Sequence, residues 1–71
     1  MATDVPAHIT GTVWKIESNV GDAVQEGDTI IILESMKMEM PVEATASGSI
    51  AEIRVEEGAA VNEGDVLAVI D

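Results

Sequence analysis

The sequence predicts an all-β fold in which eight short strands, four per half of the chain, pack as two small four-stranded antiparallel sheets. Three observations carry that prediction. The chain repeats itself: residues 11–34 align without a gap on residues 48–71, an offset of 37, and all six glycines fall into matched pairs. The apolar residues come in short β-branched runs, a composition that suits pleated, half-buried surfaces. Between the runs stand glycines set among acids and Asn, and no stretch shows apolar residues at helical spacing between caps. A duplication of this kind makes two copies of one unit, each with an apolar face that needs the other as cover, so a pseudo-twofold axis is expected.

Along the chain, the opening Met1-Ala2-Thr3-Asp4-Val5-Pro6 has neither the basic nor the apolar segment of a signal peptide. Thr12-Val13-Trp14-Lys15-Ile16 is the first clear strand. Val13 and Ile16 are three apart and cannot both face inward on a regular strand, which predicts a bulge between them. Asn19-Val20-Gly21-Asp22 and Glu26-Gly27-Asp28 are turns, followed by the strand Thr29-Ile30-Ile31-Ile32-Leu33. The second half repeats the order with Ser49–Ile53, the turn at Glu57-Gly58, the turn Glu63-Gly64-Asp65 and Val66–Ile70. The run Ala23–Asp28 matches Ala60–Asp65 with only Gln25 changed to Asn62. The expected organisation is one unit over 1–71, with halves of about 5–34 and 42–71 joined by a hairpin over 35–41.

Composition narrows the function. A chain of 71 residues buries only about 60% of its unfolded surface. With Trp14 as the one aromatic residue, its core must be made of Val, Ile, Leu, Ala and Met. The absence of cysteine removes disulfides, thiolate metal sites and thiol nucleophiles, and fits a reducing, cytoplasmic location. Fourteen acidic residues against Lys15, Lys37 and Arg54 leave a net charge of −11. That charge argues against nucleic acid and anionic membranes and favours partners with basic surfaces. No apolar run approaches membrane-spanning length. His8, the sole histidine, has no Cys or second His with which to form a metal site or a dyad and is expected to be structural or solvent-facing. The two Glu-Gly-Asp triplets lack the alternating oxygen ligands of a calcium loop and are read as turns. No nucleophile–base pair, metal cluster or phosphate loop supports an enzyme, and no metal is expected.

One segment departs from this grammar. Thr29 to Val42 is a 14-residue stretch without Gly, Asn or Asp. Strands usually end by about ten residues, so the chain must turn here without the residues that hairpins favour. The first repeat ends at Glu34, whose counterpart Asp71 closes the second, so Ser35 onward is the connection between the halves, with Lys37 expected at its tip. The pseudo-twofold puts that tip at the opposite end from the termini. Failures of local propensity of this kind are expected at functional positions.

Glu34-Ser35-Met36-Lys37-Met38-Glu39-Met40 resembles the attachment motif of the biotinyl/lipoyl family, whose core is Met-Lys-Met after Ala or Ser. The likeness extends to Gly11, Gly21, Gly27, Gly48, Gly58 and Gly64, the family's turn glycines, and covers nearly the whole chain. The resemblance implies a flattened eight-stranded β-barrel, a barrel-sandwich hybrid of two four-stranded sheets, with the modified lysine at one end and both termini at the other. It implies that Lys37 receives biotin as an amide from biotin protein ligase by way of biotinyl-adenylate, and that Met36 and Met38 help partners engage the site. It further implies a biotin carboxyl carrier: biotin carboxylase loads a carboxyl group on the ureido nitrogen and carboxyltransferase removes it, the carrier acting as a monomer and not as an enzyme. Ser35 stands where Ala is commoner, and the gapless repeat leaves no room for the thumb insertion of one carrier subunit. The chain therefore looks like the single-domain biotin/lipoyl attachment proteins of bacteria.

Other readings stay open at this stage. A lipoyl carrier is the nearest, although lipoyl domains usually show Asp-Lys-Ala where this chain has Met36-Lys37-Met38; secondary lipoylation is allowed. An unmodified acidic interaction module is the other. Lys15 aligns with Glu52 and reads as a solvent-facing strand residue. Met40 is expected in the core. Lys37 has no built-in base, so the ligase is expected to supply its deprotonation.

Overall fold

A computed structural model describes residues 2–71; Met1, the first residue of the unit expected above, lies outside them. Eight strands follow one another: β1 Thr3–Pro6, β2 Gly11–Ile16, β3 Ala23–Val24, β4 Thr29–Ser35, β5 Met38–Glu43, β6 Gly48–Ile53, β7 Ala60–Val61 and β8 Val66–Ile70. There is no helix among the described residues. The strands form two antiparallel four-stranded sheets, ordered β1-β8-β6-β3 and β5-β4-β2-β7. Shifting each strand by one repeat converts the first order into the second, so the duplication is a pseudo-twofold of the fold.

Each sheet takes two strands from either half, so the halves are interleaved rather than laid face to face. The reason is visible in the core: matched pairs such as Val5 and Val42, Val13 and Ile50, Ile30 and Leu67, and Leu33 and Ile70 are all buried. Neither half can enclose its own apolar face. Backbone hydrogen bonds sew the halves together in duplicate. Gly64 N–H donates to Ala7 O at 2.9 Å, and its counterpart Gly27 N–H donates to Ala44 O at 3.0 Å. Among the described residues no ladder joins the outer strands of one sheet to those of the other, so the barrel is a flattened sandwich, not a closed cylinder.

The expected bulge is present. Val13 pairs with Leu33 and Lys15 with Ile32, leaving Trp14 as the extra residue, which lets both Val13 and Ile16 pack on the core. The counterpart strand slips at Ala51, between the pairs Ile50–Ile70 and Glu52–Val69. Four matched turns connect the strands, and three of them close with an aspartate that accepts a backbone N–H: Asn19 to Asp22 and Gln25 to Asp28 at 2.9 Å, Asn62 to Asp65 at 2.8 Å. Asp28 and Asp65 thus spend their carboxylates on turn closure. Gly27 and Gly64 hold φ of +95° and +93° there, a region costly to residues with a Cβ.

Gly11 and Gly48 do a different job from the turn role expected of them, because both open strands. A Cβ on Gly11 would lie 2.6 Å from the Glu34 carbonyl oxygen, and one on Gly48 would lie 2.5 Å from that of Asp71. Each glycine opens one copy of the repeat and lets its strand close against the backbone at the end of the same copy. The molecule measures 33 × 17 × 17 Å. Gly11, paired with Val61, meets Glu34 at the base of the β4–β5 hairpin; Gly48, paired with Val24, meets Asp71 beside the chain end, and the pseudo-twofold exchanges the two.

Candidate functional site

The β4–β5 ladder is the longest in the fold and runs from Thr29–Glu43 to Ser35–Met38, leaving Met36 and Lys37 as a two-residue turn. Pairing up to Ser35 and Met38 makes the connection shorter than the 35–41 span read from the repeat. Both turn residues have positive φ, +52° at Met36 and +65° at Lys37. Two successive residues of this kind give a type I′ turn, whose twist matches the flanking strands and whose usual occupants are Asn and Gly. For side chains with a Cβ the conformation costs about 1–2 kcal/mol per residue. These are the described residues other than glycine that carry positive φ. The strain is held by what lies beneath: Ile31 and Leu33 are fully buried on β4, Val42 is buried on β5, and Gly11 brings β2 against the hairpin base.

Side chains radiate from the tip into solvent. Met36 is 93% exposed, Met38 is 62% exposed, and Lys37 is exposed. Met40, expected in the core, is half-buried: it is the ladder partner of buried Leu33, but it sits on β5, the outer strand of its sheet. Glu34 and Glu39 face each other directly across the ladder below the turn, a like-charge pair that repels. Among the described residues the ion pairs are Lys15 with Glu17 at 3.8 Å and Arg54 with Glu52 at 3.4 Å, and Lys37 takes part in neither. Its amine has no hydrogen bond to another described residue. Two surface grooves, one lined by Ile53–Glu56 and Ala59–Val61 and the other by Val5, Pro6 and 41–45, do not reach Met36 or Lys37.

Lys37, Met36 and Met38 are therefore brought together at one tip. Lys15 and His8 are exposed elsewhere on the surface. The amine is free to be acylated, and nothing nearby encloses a substrate. The sequence reading passed over two residues that bear on this tip. Gly11 was legible as a repeat glycine but not as the spacer under the hairpin. Trp14 carried a signal in its repeat partner, Ala51, which shows that the fold does not need a large side chain there.

A rigid duplicated β frame that holds one solvated lysine on a strained turn, outside any cleft, is a presentation scaffold. The chain belongs to the biotin/lipoyl attachment family: the family model described as "biotin-requiring enzyme" matches residues 1–70. It is 52% identical over 44 residues to the biotinylated protein TB7.3 homolog of Mycolicibacterium smegmatis, a match covering 62% of each chain. It is 46% identical over 43 residues to the biotin/lipoyl attachment protein of Bacillus subtilis, covering 61% of this chain and 59% of that one. The matched stretch thus spans about three-fifths of these relatives' length. Among solved structures, the urea carboxylase of Kluyveromyces lactis contains a region that superposes on the whole of this chain with a TM-score of 0.95 at 44% identity, and that region is 6% of the larger chain.

Proposed function

We propose that the protein is a biotin carboxyl carrier, biotinylated on Lys37, that moves a carboxyl group between the active sites of biotin-dependent carboxylases. The observation that carries this reading is the Met36-Lys37-Met38 turn, in which an exposed amine, in no ion pair among the described residues, stands at the tip of a hairpin. The donor chemistry fits: an amide needs only a primary amine that a ligase can reach. In the attachment step Lys37 Nζ attacks the acyl carbon of the adenylated acid; the C–N bond forms, the acyl–phosphate bond breaks, AMP leaves and the amine sheds its proton. No carboxylate within the described residues hydrogen-bonds to Nζ, so biotin protein ligase supplies the base for that proton.

Bound biotin supplies a ureido nitrogen that accepts and releases carboxyl groups. The chain contributes position and reach. The paired strands fix the root of the arm, the exposed turn gives it free rotation, and Met36 and Met38 offer unbranched thioethers that adapt to successive partner surfaces. A biotin carboxylase and a carboxyltransferase are the partners this role requires.

The name of the Bacillus relative keeps a lipoyl carrier as the second reading, on the same lysine. Both are tested by intact mass and peptide mapping of protein purified from its native cell, alongside Lys37→Arg. A single biotinyl increment on Lys37, absent from the arginine variant, is the expected result. A lipoyl increment alone reverses the order, and an unmodified Lys37 ends both readings.

A further inference from the structure

We propose that the outer face of the β5-β4-β2-β7 sheet, centred on Trp14, is the surface on which biotin protein ligase docks; the inference rests on the carrier reading. Trp14 is the extra residue of the β2 bulge and is 46% exposed although it is the chain's one aromatic side chain. Next to it, Lys15 pairs with Ile32, and Ile32 pairs with Pro41, so an apolar line of Trp14, half-buried Ile32 and exposed Pro41 crosses three strands. One row nearer the tip lie Thr12, Glu34 and Glu39, also paired in register.

The duplication provides an internal control. The counterparts of Trp14 and Pro41 are Ala51 and Asp4, and the counterpart of Ile32 is Val69, which is only 4% exposed. Two sheets built on one plan thus differ in that the sheet carrying Lys37 shows an apolar outer line and the other does not. The bulge is satisfied by alanine at position 51, so the indole at 14 is not required by the fold.

Reach selects the ligase as the occupant. A specific interface covers about 800 Å² on each partner, which is about a fifth of this molecule's 4283 Å² surface. The side chains of Met36, Lys37 and Met38 alone do not supply that. An enzyme that acts at the far end of the biotin arm can keep its body away from the hairpin flanks. The ligase acts on Nζ itself, one side-chain length from the turn, so its footprint has to descend a flank. Pro41 lacks an N–H on edge strand β5, which opposes the alternative of adding a strand to that edge. Glu34, Glu39 and Glu43 are exposed around the line, and the cation beside Trp14, Lys15, is paired with Glu17. The complementary surface is an apolar pocket that takes an indole, ringed by lysine and arginine.

The test is steady-state biotinylation of the full apo chain by a biotin protein ligase with biotin and ATP, read by intact mass, for the wild type, Trp14→Ala and Val20→Ala. Val20 is 61% exposed in the β2–β3 turn and serves as the control for loss of an exposed apolar side chain. Trp14→Ala should raise KM for the carrier at least tenfold with kcat unchanged, because a docking contact away from the reacting atoms contributes equally before and during reaction. Val20→Ala should match the wild type, and matching thermal midpoints establish that both variants are folded. A KM for Trp14→Ala within twofold of the wild type overturns the proposal. So does normal biotinylation joined to failed carboxyl transfer, which would assign the face to a carboxylase, or a wild-type dimer in sedimentation that Trp14→Ala abolishes, which would assign it to a second copy. Wild-type protein that takes no biotin at all overturns the carrier reading itself.

Discussion

Substituting Asn-Gly for Met36-Lys37 exchanges the two non-glycine residues held at positive φ, +52° and +65°, for the pair that a type I′ turn favours. Each present side chain costs about 1–2 kcal/mol in that region. Glycine at 37 removes its share, less about 0.5–1 kcal/mol for the extra freedom it gives the unfolded chain, and asparagine at 36 relieves part of the rest. The net gain is about 1 kcal/mol, which for a chain of this length corresponds to about 4–8 °C in thermal midpoint. Removing the Lys37 charge also leaves Glu34 and Glu39 facing each other alone, so the comparison belongs at high salt, where that repulsion is screened. Differential scanning calorimetry of the apo variant should show the rise, and Lys37→Arg, which keeps both the β-carbon and the charge, should show none. An unchanged or lower midpoint for the Asn-Gly variant would mean that the turn is not strained and that its residues need no functional explanation. The variant forfeits the attachment site, so this is a place where function holds the sequence below its stability optimum.

Gly11→Ala would put a methyl group 2.6 Å from the Glu34 carbonyl oxygen and push the hairpin base away from β2, while Gly48→Ala meets the Asp71 carbonyl at 2.5 Å beside the chain end. Overpacking of this kind costs about 1–3 kcal/mol. Urea midpoints should fall for both variants, but the initial rate of biotinylation of Lys37 should fall for Gly11→Ala alone. Leu33, fully buried beneath the hairpin, should cost about 2–5 kcal/mol as Leu33→Ala. Against a total of roughly 4–10 kcal/mol for a domain of this size, the variant should stay folded at 25 °C with its urea midpoint lowered by about half, read by circular dichroism.

The duplication made the architecture legible because a matched residue must serve a matched place. Val13 with Ile50 and Leu33 with Ile70 announce equal burial, and the three-residue spacing of Val13 and Ile16 announces the bulge. Correspondence between halves says nothing about pairing between them. Reading residues 5–34 as one packing unit does not reveal that β4 and β2 share a sheet with β5 and β7, since that choice is made by long-range contacts and by glycines 11 and 48, whose value lies in the backbone they admit rather than in a turn they form. The tip was legible for the opposite reason. Repeat positions report what the scaffold needs, and Ser35, Met36 and Lys37 lie outside both copies, in a turn whose residues are poor formers of the turn they occupy. Trp14 lies inside the repeat yet departs from it, and only its exposure, next to Ile32 and Pro41 on the lysine-bearing sheet, gives the departure a meaning. Once two copies have satisfied the fold, the positions at which they disagree in solvent are free of structural duty, and in this chain the tip and the Trp14 face are adjoining parts of the same sheet.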